Sequence, residues 1–147
     1  MKRLHLHVGV SDLGRSIDFY ATLFGARPAV VKADYAKWVL DDPRVNFAIS
    51  TRAAAPGIDH VGIQAESPTE LAEIAGRLKA AGEQTFDQIA TTCCYAQSDK
   101  TWVHDPSGVR WETFFTFGEA VTYGEDVPAA EARCCGQPRL AAATSCC

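Results

Sequence analysis

The sequence predicts an α+β fold in which two βαβββ modules pair into one unit. Three observations predict it. A strand-like alternation running into a helix-spaced stretch occurs at residues 2–25 and again at residues 59–82. The landmarks of the two stretches keep nearly constant offsets, with His5 to His60 at 55 residues, Ser11 to Ser67 at 56 and Gly25 to Gly82 at 57. Three short strand-like runs follow each helix, and the last turn of each half opens on Asp-Pro, at Asp42-Pro43 and Asp105-Pro106. A module of about 55 residues is marginal alone, so the two are expected to share one core. The expected domain covers 1–117, with modules at 1–52 and 58–117. Residues 118–147 are rich in Ala, Gly, Pro and Glu and carry no aromatic after Tyr123. They are expected to form a flexible, cysteine-containing tail.

In chain order, residues 2–10 place Leu4, Leu6, Val8 and Val10 on one strand face and His5, His7 and Gly9 on the other. Ser11 or Asp12 suits the cap of a helix whose apolar positions are Leu13, Ile17, Tyr20 and Phe24, with Gly25 at its stop. Strands are expected near Pro28–Lys32, Tyr35–Leu40 and Val45–Thr51, and Arg52–Gly57 reads as a linker. The second half opens with a strand over Asp59–Glu66, with His60, Gly62 and Gln64 on one face. Ser67 and Pro68 start a helix striped by Leu71, Ile74, Ala75 and Leu78 and ended by Gly82. Strands follow near Gln84–Thr91, Ala96–His104 and Val109–Phe117.

Composition excludes several classes of function. Hydrophobic residues make up 47% and charged residues 22%, which is globular, and the net charge of −4 comes without a basic patch, so no nucleic acid is expected as partner. No apolar run is long enough to span a bilayer, and the N-terminus lacks a signal-peptide apolar region, so a cytoplasmic protein without a membrane partner is expected. The six cysteines fall into three adjacent pairs, Cys93-Cys94, Cys134-Cys135 and Cys146-Cys147. Neighbouring cysteines bridge only through a strained ring, and a reducing compartment keeps them as thiols.

The chemistry gathers in two sets of residues. His5 and His60 occupy matching positions of matching strands, and Glu112 lies on the last strand of the second module. Two imidazoles and a carboxylate leave three octahedral positions open, the arrangement of non-heme Fe(II) oxygenases. Aligning the two Asp-Pro turns sets Ala48 opposite Glu112, so the first module offers no fourth ligand. His7 shares the His5 face and competes as a ligand, Gln64 is placed to touch substrate or a ligand water, and His104 is placed beside a turn. The second set is Cys93 and Cys94. In a regular strand their thiols would point to opposite faces, whereas in a loop they would chelate a soft centre such as As(III) or Cd(II). Tyr95 beside them reads equally as core or as substrate contact.

At TTCCYAQSDKTWVHDPSGVRWETFF (91–115), with SIDFYATLFG (16–25) and DHVGIQA (59–65), the sequence resembles the ArsI/CadI group of the vicinal oxygen chelate superfamily, which also contains glyoxalase I and bleomycin-resistance proteins. The resemblance covers about residues 3–123. It implies a half-barrel cavity formed by the paired modules. It further implies an Fe(II)-dependent, extradiol-type dioxygenase with O2 as co-substrate, acting as a C–As lyase on trivalent organoarsenicals such as methylarsenite. Products would be arsenite and an oxidised carbon fragment. Carried over by position, the metal ligands are His5, His60 and Glu112, the arsenic-binding catalytic thiols are Cys93 and Cys94, and Tyr95 adjoins the substrate. The group also includes cadmium-induced proteins, so a Cd(II)- or As(III)-binding resistance protein without turnover is the competing expectation. A glyoxalase-like isomerase or thiol transferase is a third. Superfamily members pair their modules within one chain or between two, so a homodimer is among the arrangements the resemblance allows.

Overall fold

The structure is a computed structural model that describes residues 1–124. The elements are β1 (Arg3–Gly9), α1 (Leu13–Phe24), β2 (Val30–Val31), β3 (Tyr35–Asp41), β4 (Arg44–Ser50), β5 (Gly57–Gln64), α2 (Pro68–Ala80), β6 (Phe86–Cys93), β7 (Ala96–His104) and β8 (Arg110–Glu119). Two βαβββ modules therefore follow one another, in the expected order. Their strands join into one eight-stranded sheet, ordered β2-β3-β4-β1-β5-β8-β7-β6.

Each helix starts where the side chains dictate. The Asp12 carboxylate, rather than Ser11, accepts from the Arg15 amide at 3.0 Å and caps α1. Gly25 takes φ 62°, a left-handed backbone that ends the helix without a Cβ penalty. Ser67 accepts from the Glu70 amide at 3.1 Å, and Pro68 follows at the first turn of α2.

The two modules meet through β1 and β5, which run antiparallel. The register pairs His5 with Gly62 and His7 with His60. Adding the 55-residue offset to one of these pairs gives the other, so the modules are related by an approximate twofold axis between the two strands. The same relation carries outward. In β1–β4 His5 stands opposite Asn46, and extending the β5–β8 register by one residue sets His60 opposite Arg110. Two residues further on, Ala48 and Glu112 occupy equivalent places.

The sheet separates two environments. Leu6, Val8, Leu13, Ile17, Tyr20 and Phe24 pack with Ala36, Trp38, Val45, Phe47 and Ile49 on the side covered by α1. The Trp38 indole donates to the Ala26 carbonyl at 2.9 Å, satisfying the one polar atom of that residue. Each large side chain removed from water there contributes about 1.5–3 kcal/mol. On the other side of the same sheet lie His5, His7, Asn46, Ser50, His60, Ser98, Lys100 and Glu112, all buried. Period-2 alternation thus puts the apolar residues under the helices and the polar ones in the hollow of the half-barrel.

Several boundaries differ from expectation. β2 has only two residues, and β6 runs over Phe86–Cys93 instead of Gln84–Thr91, because its hairpin with β7 turns on Cys94 and Tyr95 alone. Both turn residues have positive φ, 58° and 62°, which is turn geometry that glycine or asparagine usually supplies. The ladder between β7 and β8 extends β8 to Glu119, past the expected domain limit at residue 117. Tyr123 packs against Tyr35 and Tyr95, and Gly124 forms a bridge with Cys93. The remainder of the expected tail, with Cys134, Cys135, Cys146 and Cys147, lies outside the described residues. Among the described residues no helix is long and apolar enough to cross a membrane.

Candidate metal centre

β1, β5 and β8 are adjacent in the sheet, and each sends one donor to a common point. His5 Nε2 lies 3.2 Å from His60 Nε2. Glu112 Oε2 lies 3.5 Å from the first and 3.4 Å from the second. His5, His60 and Glu112 are thereby brought together as a group able to hold a metal ion, and all three are buried.

The hydrogen bonds around the imidazoles decide what the three atoms can do. His5 Nδ1 is 3.0 Å from the Asn46 carbonyl, which only accepts, so Nδ1 carries the proton and Nε2 a lone pair. His60 Nδ1 is 2.6 Å from Asp59 Oδ2, which fixes the same tautomer. Burial depresses His5 to about 4, against the pull of Glu112, so it is neutral near pH 7. Burial would raise the Glu112 carboxyl, but Lys100, His60 and His5 hold it well below the usual carboxylate range. Two imidazole nitrogens and one carboxylate oxygen therefore converge on one point. That arrangement is suited to a divalent cation.

Asp59 owes its position to an irregularity. The β1–β5 register shifts between His7 and Val8, so that His7 faces His60 while Val8 faces Ile58, leaving Asp59 unmatched. A bulge re-aims a side chain that strict alternation would send to the other face. Gly62 has a different role. A Cβ there would sit 2.1 Å from the Glu112 carbonyl oxygen, so only glycine lets β8 come this close to β5.

His7 forms a second possible donor group with Asp59 and His60, its ring centre 4.9 Å from that of His60. Its Nε2 is 3.0 Å from Ser50 Oγ, and burial followed by the His60 and His5 charges depresses it to about 3. Gln64 accepts from Asn46 Nδ2 at 2.9 Å, leaving Asn46 Oδ1, buried, with no hydrogen-bond partner. His104 is exposed at the end of β7, away from the group.

Cys93 is the last residue of β6, and Cys94 is the first of the two-residue turn. The left-handed backbone at Cys94 cancels the alternation that would have separated the thiols, and their sulfurs lie 3.0 Å apart. No disulfide joins them. The hydrogen bond it donates to Cys93, then burial, pushes the Cys94 thiol up. Tyr95 donates its hydroxyl to Asp34 Oδ1 at 2.6 Å, and Asp34 is also paired with Arg52. The first module thus grips the turn of the second through Asp34, 61 residues away in sequence.

A cavity of about 90 Å³ is lined by His5, Asn46, Cys93, Cys94, Lys100 and Glu112 among others. It brings the thiols and two of the three candidate metal donors to one half-open space. A larger cavity of about 540 Å³ adjoins it beyond Cys94, and Tyr95 lines that outer space and not the inner one. Lys100, Asp59 and Asp34 had no signal in sequence spacing. Lys100 reads as an ordinary strand residue, Asp59 depends on the bulge, and Asp34 on a contact between modules.

Residues 2–113 match the family model of the Glyoxalase/Bleomycin resistance protein/Dioxygenase superfamily. The chain is 41% identical over 149 residues to a trivalent organoarsenical cleaving enzyme of Bacillus sp. (strain MD1), covering 99% of this chain and 91% of that one. It is 37% identical over 152 residues to the cadmium-induced protein CadI of Mycobacterium tuberculosis (strain ATCC 25618 / H37Rv), covering 99% of both. Among solved structures, an extradiol ring-cleaving dioxygenase from B. fuscum superposes with a TM-score of 0.60 at 16% identity, over 80% of this chain and 33% of that one. At that identity the likeness speaks for the fold alone.

Proposed function

The chain belongs to the glyoxalase/bleomycin resistance protein/dioxygenase superfamily, and on that premise we propose that it is a metal-dependent enzyme cleaving the carbon–arsenic bond of trivalent organoarsenicals such as methylarsenite. The observation that carries this reading is the shared cavity. Cys93 and Cys94, 3.0 Å apart, open onto the same half-open space as His5 and Glu112. The relatives named as trivalent organoarsenical cleaving enzymes support it over the full chain length.

The thiols bind the substrate. Each Cys sulfur displaces one hydroxyl of methylarsenite, the thiol proton leaves with that hydroxyl as water, and two As–S bonds replace two As–O bonds. The inner cavity of about 90 Å³ suits arsenic with a one-carbon substituent, and larger groups would extend into the outer cavity. His5, His60 and Glu112 would hold Fe(II), which supplies the means of activating dioxygen toward carbon. Asp59 and the Asn46 carbonyl keep both imidazoles in the metal-binding tautomer. The Asp34 clasp on Tyr95 holds the dithiol turn, so the arsenic-bound carbon is presented in a restricted orientation. The overall balance closes as methylarsenite plus dioxygen giving arsenite plus formaldehyde, with carbon oxidised and dioxygen reduced.

The test is anaerobic loading of the full chain with Fe(II), then methylarsenite with and without O2, with arsenite and formaldehyde measured. Release of arsenite only with O2, lost in Glu112→Ala, is the expected result. Oxygen-independent release, or none, refutes the reading. The relatives named as cadmium-induced proteins favour one alternative, sequestration of Cd(II) or As(III) by the dithiol without turnover. In that case Cys93→Ser abolishes binding while Glu112→Ala leaves resistance intact.

A further inference from the structure

Lys100 is 4% exposed and stands in the hollow beside the metal donors, with its Nζ 2.5 Å from Glu112 Oε1. A buried ion pair is expensive to assemble, and its geometry shows what it restrains. The two carboxylate oxygens have different neighbours. Oε1 takes the lysine, and only Oε2 faces His5 Nε2 and His60 Nε2. The placement follows from the ladder. Trp102 pairs with Glu112 across β7 and β8, so Lys100, two residues earlier on the same face, is its diagonal neighbour. The ammonium also lies 5.5 Å from the centre of the Trp102 ring, and that ring is fixed by a 2.8 Å hydrogen bond from its indole nitrogen to Gln88 Oε1.

An unrestrained carboxylate binds a cation through one oxygen or two. With two, Glu112 would fill a position that reactants need, since catalytic sites keep positions open. We propose that Lys100 is a positioning residue that restricts Glu112 to one-oxygen coordination and so keeps a position on the metal open toward the cavity that Cys93 and Cys94 line. The proposal rests on the metal-centre reading above. It does not depend on which substrate the enzyme turns over.

The probe is Co(II), titrated anaerobically into the full-length apo-protein and followed by its visible d–d absorption. For Lys100→Met, Co(II) affinity is expected to stay within about tenfold of wild type while the d–d bands weaken by roughly twofold, the sign of a raised coordination number. Methylarsenite turnover is expected to fall in kcat by about 10–100-fold, with KM nearly unchanged. Lys100→Arg should retain the wild-type spectrum, because its guanidinium still occupies Oε1. Lys100→Gln gives a second reading if the Met variant fails to fold. An unchanged d–d spectrum in the neutral variants overturns the proposal, as does a rise in KM with kcat preserved. Failure of wild type to bind Co(II) overturns the metal-centre reading and this proposal with it. Co(II) binding without arsenite release overturns only the assigned reaction.

Discussion

Gly62→Ala tests whether the metal group depends on the close approach of β5 and β8. The added Cβ would lie 2.1 Å from the Glu112 carbonyl oxygen, 3.0 Å from its carbonyl carbon and 3.3 Å from its Cβ. The nearest atoms are backbone, so no side-chain rotation relieves the contact, and the strands must part by roughly 1 Å to reach an ordinary separation. Two effects oppose each other. Replacing glycine in a strand gains about 0.5–1 kcal/mol of chain entropy, and overpacking costs about 1–3 kcal/mol. The cost wins, with a net loss of about 1–2 kcal/mol and a melting temperature lower by roughly 3–8 °C. Because Val61–Gln64 pair with Trp111–Phe114, the displaced strand carries Glu112 away from His60. Metal affinity is therefore expected to fall about 10–100-fold. Calorimetric Co(II) titration and thermal melts measure both effects. Gly76→Ala, in α2 with nothing within 4 Å of its added Cβ, serves as control and should be neutral or stabilising. Wild-type metal affinity in Gly62→Ala would refute the reasoning.

The apo-protein should lose stability as pH falls. His5 titrates at about 4 when folded and near 6.5 when unfolded, so the unfolded chain binds more protons between those values. The loss grows below pH 6.5 and reaches about 2 kcal/mol by pH 5 from His5 alone, with His7, depressed to about 3, adding a similar amount and Glu112 acting in the same direction at lower pH. Thermal melts of the apo-protein from pH 7 to 5 check this, and a wild-type profile no steeper than that of His5→Asn would contradict it. Tyr95→Phe removes the hydrogen bond to Asp34 while leaving the ring contacts with Tyr35 and Tyr123. Without that bond the turn is held less firmly, so arsenite binding should weaken about tenfold and alkylation of Cys94 should quicken. Alkylation at the wild-type rate would show that the clasp does not hold the turn.

The grouping of His5, His60 and Glu112 was legible because the repeat is nearly regular. The 55-residue offset aligned His5 with His60, and the alignment of the turns that set Ala48 against Glu112 agrees with the strand register. What stayed hidden breaks the period or spans the modules. Asp59 reaches His60 only through a bulge. The thiols meet only because Cys94 takes a left-handed backbone without the glycine or asparagine that usually announces one. β8 runs on to Glu119 because Ala96, just past the turn, pairs with it. That pairing depends on a two-residue turn that composition does not signal.

The division of labour across the sheet bears on how such a chain tolerates change. Cohesion comes from the helix-covered side, where Trp38, Phe47 and Ile49 meet α1. The polar groups of the hollow contribute reactivity and little adhesion, beside Tyr35 and Phe114, which are buried in the same lining. Substitutions of those polar groups can therefore alter what is accepted without dissolving the fold, and a scaffold arranged this way is open to new chemistries at low risk of collapse.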